Sequence, residues 1–173
     1  MDDSIIIVGG DVDKIRLRKE GKYPVLANAL TNGGIVGYYD DDFRVTAPSV
    51  TVTARGDIGH AQPREENFTP VVRLLAIQSK HNVNFLATAI NNHRTLIEST
   101  GVPQLTAPQL GKYVIHFTGI VEENKIGRLI ASLDNLIAVN QRKALEKSPK
   151  RLNQSLKKLN GVLTVYLFKK INF

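Results

Sequence analysis

Four histidines, the carboxylate runs Asp40-Asp41-Asp42 and Glu65-Glu66, and the glycine pair Gly9-Gly10 are groups in this chain whose types could support catalysis or metal binding. His60, His81, His93 and His116 lie more than ten residues apart, without the close spacing that brings metal ligands together. Each is expected at the surface or as a satisfied core histidine. Glu65-Glu66 and Asp40-Asp41-Asp42 are neighbours in sequence; in a strand such carboxylates point to opposite faces and in a loop they face water, so they make poor acid/base pairs. Ile5 to Gly10 is similar to the strand and first turn of a dinucleotide site, but the third glycine is missing and Asp11 to Lys19 does not open a helix. There is no serine in a nucleophile-elbow setting, no phosphate-cradling loop with a lysine, and no methyl-donor or amino-methylation motif. The expectation is a noncatalytic chain with no catalytic residues, no metal and no cofactor.

The elements that must position the remaining polar groups follow from the pattern of apolar residues. Up to about residue 80 these come in brief alternating runs punctuated by Gly, Asn, Asp and Pro, which predicts short strands of a twisted, curved sheet. Val45 to Ala54 is the clearest strand, with Pro48 suggesting an edge or a bulge. Asn32-Gly33-Gly34 and Asp40-Asp41-Asp42 supply turn chemistry on either side of Ile35 to Tyr39. From Asn82 the spacing becomes helical, with Phe85, Leu86, Ala89 and Ile90 on one face and Asn91-Asn92-His93 beyond it. A short helix is expected near Pro108, and a strand over Tyr113 to Phe117 closed by Gly119.

Glu122 and Glu123 then stand where a helix N-terminus favours negative charge, ahead of Ile126, Leu129, Leu133 and Leu136 at spacings of three and four. Continuing that register places Asn140 at the next seam position, where a polar residue fixes alignment and partner number. Two readings of the seam stand open: a coiled-coil contact with a second helix, or a helix packed on its own domain. Ser148-Pro149 interrupts the run. Leu152, Leu156, Leu159, Leu163 and Tyr166 resume helical spacing, although Val162 to Phe168 suits a strand equally. The fold class is therefore α+β, a curved mixed sheet with short helices over 1–120, followed over 121–173 by a long helix or helical hairpin.

Charge is distributed unevenly. Residues 1–120 carry 12 Lys+Arg against 12 Asp+Glu, whereas 121–173 carry 11 against 4, so the formal net charge of +7 resides in the tail. The tail is either a solvated basic helix face or a contact for an acidic partner. Any nucleic-acid contact by the body must use local patches. With 173 residues and 42% hydrophobic content the chain can build a true core. The absence of cysteine removes disulfides and thiolate chemistry and suits a reducing cytoplasm; Ile5 to Val8 is too short to span a membrane, so a soluble, unexported protein is expected.

Several segments, taken in order, resemble the recognition domain of the specificity subunits of type I restriction-modification systems. Gly21 to Val25 followed by Gly33 to Asp40 is similar to the family's opening run, and Ala54-Arg55-Gly56-Asp57-Ile58-Gly59 to its small-Arg-Gly-x-x-Gly element. Asn67 to Pro70 resembles a short aromatic segment that follows. Val102 to Leu105 with Gln109-Leu110 resembles the stretch before the last strand, Ile120 to Ile126 the helix entry, and Leu133 to Ile137 the conserved helix. The resemblance covers roughly Gly21 to Lys147. It departs at Thr118-Gly119 and Asn124, where the family has prolines and a glutamine, and at Pro149, which interrupts a helix the family often continues.

The resemblance implies a reader of double-stranded DNA that docks methyltransferase subunits and, through them, the restriction subunit. Such subunits carry two recognition domains separated by helices, and this chain has room for one of each. A homodimer, or pairing with another half-subunit, would restore a two-fold object reading inverted half-sites. From Glu122 to Lys147 the helix would measure about 39 Å, on the order of one DNA turn. Base readout requires Arg, Lys, Asn, Gln or His on groove-entering loops, with cations nearby for phosphates. Lys14, Arg16, Arg18, Lys19 and Lys22 form one cluster, with Lys14, Arg16 and Arg18 on one face if the segment is a strand. Arg55, His60, Gln62 and Arg64, expected in a Gly-rich turn after the Val45 to Ala54 strand, form the second; His60, Gln62 and Arg64 are assigned to DNA, and Arg55 to holding the turn together. Asn32, Tyr38 and Tyr39 form a third, with at least one tyrosine in the core; Arg94 and Lys112 are further phosphate candidates. The competing functions are a protein-interaction adaptor working through its amphipathic helices and a compact metal-dependent nuclease.

Overall fold

The computed structural model describes residues 4–93 and 103–144. Its strands are β1 (Ile5–Val8), β2 (Tyr23–Leu26), β3 (Ile35–Tyr39), β4 (Ser49–Thr53), β5 (Ala61–Arg64), β6 (Thr69–Pro70) and β7 (Leu74–Gln78). Its helices are α1 (Val83–Asn91), α2 (Ala107–Gly111) and α3, residues 120–144. The fold is α+β, as the sequence implies, with the strands sorted into two sheets. One is four-stranded and antiparallel, in the order β1-β7-β4-β5; the other is three-stranded and mixed, in the order β3-β2-β6, with β2 and β6 parallel.

β7 has the unbroken apolar run Leu-Leu-Ala-Ile because both of its faces are covered. Leu75 and Ile77 join Val50, Val52 and Ala61 beneath α1, while Leu74 and Ala76 turn the other way onto Leu26, Val45 and Phe68. β4 alternates Ser-Val-Thr-Val-Thr, yet all five residues are buried. Its hydroxyl face is an interior polar surface rather than a wetted one. The strand is also shorter than expected. Val45 forms a separate bridge to Phe68, the Ala47–Pro48 peptide is cis, and β4 is interior rather than an edge. Pro48 precedes the first paired residue, so its missing N–H removes no ladder hydrogen bond.

α1 begins where Asn82 accepts hydrogen bonds from the Asn84 and Phe85 amides. Its buried face is Val83, Leu86, Ala87 and Ile90. Phe85 and Ala89, expected on that face, are only half-buried at its margin, and Phe85 leans towards Phe117. Burial of Leu86 and Ile90 contributes roughly 2 kcal/mol each. α2 opens with a capping box between Thr106 and Gln109. Tyr113 to Phe117 alternates buried and exposed as a strand would, but it pairs with no other strand among the described residues.

Lys14 to Arg16 form a turn, not the expected strand, because the Asp13 carboxylate accepts hydrogen bonds from the Ile15 and Arg16 amides and curls the chain back. The single face predicted for Lys14, Arg16 and Arg18 is therefore absent. The chain divides into two compact units, Met1–Ile130 and Ala131–Phe173; both sheets, α1 and α2 belong to the first. The Ser148-Pro149 break and the pattern from Leu152 to Tyr166, including the choice between helix and strand, lie outside the described residues. Among the described residues no helix is long and apolar enough to cross a membrane.

Candidate nucleic-acid interface

Gln62 and Arg64, expected in a Gly-rich turn, stand instead on β5, an edge strand, and alternate positions along it and just before it carry His60, Gln62 and Arg64 on one face. The opposite face, through Ala61, is sealed under α1. Asn91 of α1 holds that seal by grasping the free edge of β5: its Oδ1 accepts from the Ala61 amide at 2.7 Å and its Nδ2 donates to the Ala61 carbonyl at 3.0 Å. The strand's polar face is thus presented from a firmly braced backbone.

The three side chains form one connected row. Arg64 Nε donates to Thr51 Oγ1 on β4 at 2.9 Å, and Arg64 Nη2 donates to Gln62 Oε1 at 2.7 Å. Gln62 Nε2 then meets His60 Nε2 at 3.2 Å. Burial pushes the Arg64 guanidinium below its ordinary value, though an arginine stays charged at any physiological pH. Thr53 Oγ1 accepts from the His60 amide at 3.0 Å, which ties the residue before β5 to β4.

The loop before β3 comes up to this row. Asn32, Gly33 and Gly34 all adopt positive φ, and a Cβ on Gly33 would lie 3.7 Å from Arg64 Nη1. Asn32 fixes the loop by donating from Nδ2 to the Ile35 carbonyl. His60, Gln62 and Arg64 are consequently assembled in one row, and the loop that carries Asn32 approaches its Arg64 end through Gly33. The Ala54 to Gly59 turn lies beside them, with Gly56 and Gly59 in the left-handed region. Leu30, Asp57, Ile58, Gly59, His60, Asn91 and His93 line an open cleft there.

Among the described residues no side-chain hydrogen bond or ion pair of Arg55 holds this turn. Asn28 does so instead, accepting from the Ala54 and Arg55 amides and donating to the Arg55 carbonyl. A single Asn between two alanines gives no periodic or motif signal, so its role was hidden in the sequence. The same holds for Thr51 and Asn91.

The basic cluster near the start is less uniform than its sequence. Arg16 is committed to Asp41 at 3.3 Å and Asp42 at 2.7 Å and lies over the Tyr39 ring, and its hydrogen bond to Asp42 raises its pKa. Lys14 and Lys22 are exposed, Lys22 with its ammonium 4.9 Å from the Tyr23 ring centroid. Tyr39 is buried, with its hydroxyl bonded to Asp13, whereas Tyr38 is half-buried and exchanges backbone hydrogen bonds with Arg18. Lys112 is the exposed C-cap of α2. Arg94 lies outside the described residues.

The first turns of α3 are fastened to the segment ahead of α1. Glu123 is fully buried, and both of its carboxylate oxygens lie within 3.1 Å of His81 Nδ1. The His81 ring stacks on Phe117, and Asn82 bonds to Asn124. Glu123, read from sequence as a helix-dipole residue, is an anchor. Ile126 is half-buried, while Leu129, Leu133, Leu136 and Asn140 are exposed, together with Ile137 and Val139. No group of three or more His, Asp or Glu able to hold a metal occurs among the described residues.

Comparison with known proteins agrees with this architecture. Two Mycoplasma pneumoniae proteins named as type I specificity subunits are 31% identical over 136 residues and 29% identical over 133 residues. These matches cover 76% and 74% of this chain but 36% and 39% of the relatives, so the chain spans little more than a third of their length. Among solved structures, the S subunit of a type I restriction-modification system from M. genitalium superposes with a TM-score of 0.61 at 18% identity, covering 76% of this chain and 37% of that one. A chain from a type I restriction-modification assembly gives 0.66 at 15% identity, covering 88% and 42%. These two likenesses are of fold. The family model described as the type I restriction modification DNA specificity domain matches residues 7–147, and the chain belongs to that family.

Proposed function

We propose that the chain reads the sequence of double-stranded DNA as one recognition half of a type I restriction-modification specificity component, without catalysing a reaction itself. The observation that carries this reading is the row His60–Gln62–Arg64, braced on an edge strand and joined by the loop bearing Asn32. Its groups are of the kind that meet base edges, and family membership supplies the DNA context. Lys14, Lys22 and Lys112 are exposed cations suited to phosphates, and Tyr38 pairs through its backbone with Arg18. Arg16 contributes mainly by shaping its turn, since its charge is already paired.

In this reading residues 1–120 form the recognition domain and 121–173 the helical region. Leu129, Leu133, Leu136 and Asn140 form a seam that pairs with a second helix, from another copy or another half-subunit. Methyltransferase subunits, and the restriction subunit through them, dock on the assembled pair. Selection from a random-sequence duplex pool, performed with the methyltransferase partner present, tests the function. An enriched motif is the expected result; recovery of unselected sequence would refute it.

A further inference from the structure

The hydrogen bonds along β5 have a direction, because arginine can only donate. Arg64 Nη2 reaches Gln62 at 2.7 Å, so the atom it meets must be the amide oxygen. The Gln62 NH2 is then the group that faces His60 Nε2 at 3.2 Å, and Nε2 must accept. The ring proton is left on Nδ1. Among the described residues that atom has no hydrogen-bond partner, and on this half-buried side chain it is not sealed from solvent. A proton on Nε2 would set two donors against each other. Turning the Gln62 amide over to relieve that clash would set its NH2 against the guanidinium. Arg64 itself is fixed from the far side by Thr51 and is half-buried against the Gly33 loop. The chain of bonds tolerates one polarity.

We propose that Arg64 is a positioning residue which, through Gln62, holds His60 as the Nδ1–H tautomer, so that the ring offers a donor to an acceptor on a base edge, such as guanine O6 or N7 or adenine N7. This rests on the DNA-reading function above and adds the chemical class of the edge that is read. In free histidine the Nε2–H tautomer predominates, so the network reverses the intrinsic preference and converts what would be an exposed acceptor into an exposed donor. The polar cluster selects by orientation rather than by charge.

The test has a spectroscopic and a binding arm. Long-range proton–nitrogen correlation of the imidazole rings, at a pH well above their ordinary titration range, reads the tautomer directly in the free protein. Wild type is expected to show His60 protonated on Nδ1. Gln62→Glu presents a carboxylate that satisfies Arg64 and accepts from His60 as well, so the ring proton should move to Nε2. Arg64→Met frees the amide and should give a mixture; if that variant folds poorly, Gln62→Glu carries the test. In duplex selection Gln62→Glu should alter preference at a single base pair, away from an acceptor, by roughly tenfold. A wild-type ring protonated on Nε2 overturns the inference whatever the DNA result. A ring that switches as expected while the motif stays the same at every base pair overturns the readout. A ring that switches while the wild-type pool yields no motif at all overturns the DNA-reading function instead.

Discussion

At the scale of single residues, the polar side chains around β5 brace one another and the backbone. Arg64 ties β4 to β5 and orients Gln62. Its replacement by alanine should cost about 1–3 kcal/mol in urea unfolding, the usual penalty for stranding hydrogen-bonded groups, and should weaken sequence discrimination more than affinity for unrelated DNA. Glu123 is fully buried, with His81 as its partner. His81→Ala strands that carboxylate and should destabilise the protein by roughly 3–5 kcal/mol, whereas Glu122→Gln, at an exposed neighbour, should leave the unfolding midpoint nearly unchanged. Equal effects of the two substitutions would contradict the anchoring role. His60, Gln62 and Arg64 were legible as a cluster because hydrogen-bonding side chains gather there in sequence, but they were expected in a Gly-rich turn; the edge strand that puts alternate positions on one face was not foreseen. Asn28, Thr51 and Asn91 were not legible, since each acts on a backbone or side chain at least eleven residues away and no local pattern encodes such a partner.

At the scale of elements, local patterns succeeded where local chemistry decides and failed where distant partners do. β3 falls where Gly-rich and Asp-rich turns bracket Ile35 to Tyr39, and α2 forms at Pro108, where a short helix was expected. The turn at Lys14 to Arg16 escaped because Asp13, not the alternation of cations, sets its course. Tyr113 to Phe117 has a strand's alternation without a partner strand, since burial of one side depends on packing and a ladder needs a second edge. The loop before β3 offers a sharp check. Gly34 has φ +82°, and a Cβ there would lie 2.8 Å from the Ala27 carbonyl oxygen, so Gly34→Ala should displace the Asn32 loop from Arg64. Amide shifts at Asn32 and Gly33 would report the displacement, and an unchanged spectrum would show that the loop is held by something else.

At the scale of the whole molecule, the chain belongs to a family of DNA specificity domains yet spans little more than a third of its relatives. Leu129, Leu133 and Leu136 are exposed, and under the proposed helix pairing Leu133→Asp should lower the mass observed by light scattering to that of a monomer. In the proposed function the row on β5 reads the bases. The most direct test of this role is the ratio of affinities for the selected motif and a scrambled duplex, measured at fixed salt for wild type, for a His60→Ala/Gln62→Ala double variant, and for Lys14→Ala. The double variant should lose the ratio while keeping its affinity for scrambled DNA, and Lys14→Ala should weaken both duplexes alike. An undiminished ratio in the double variant would contradict the account.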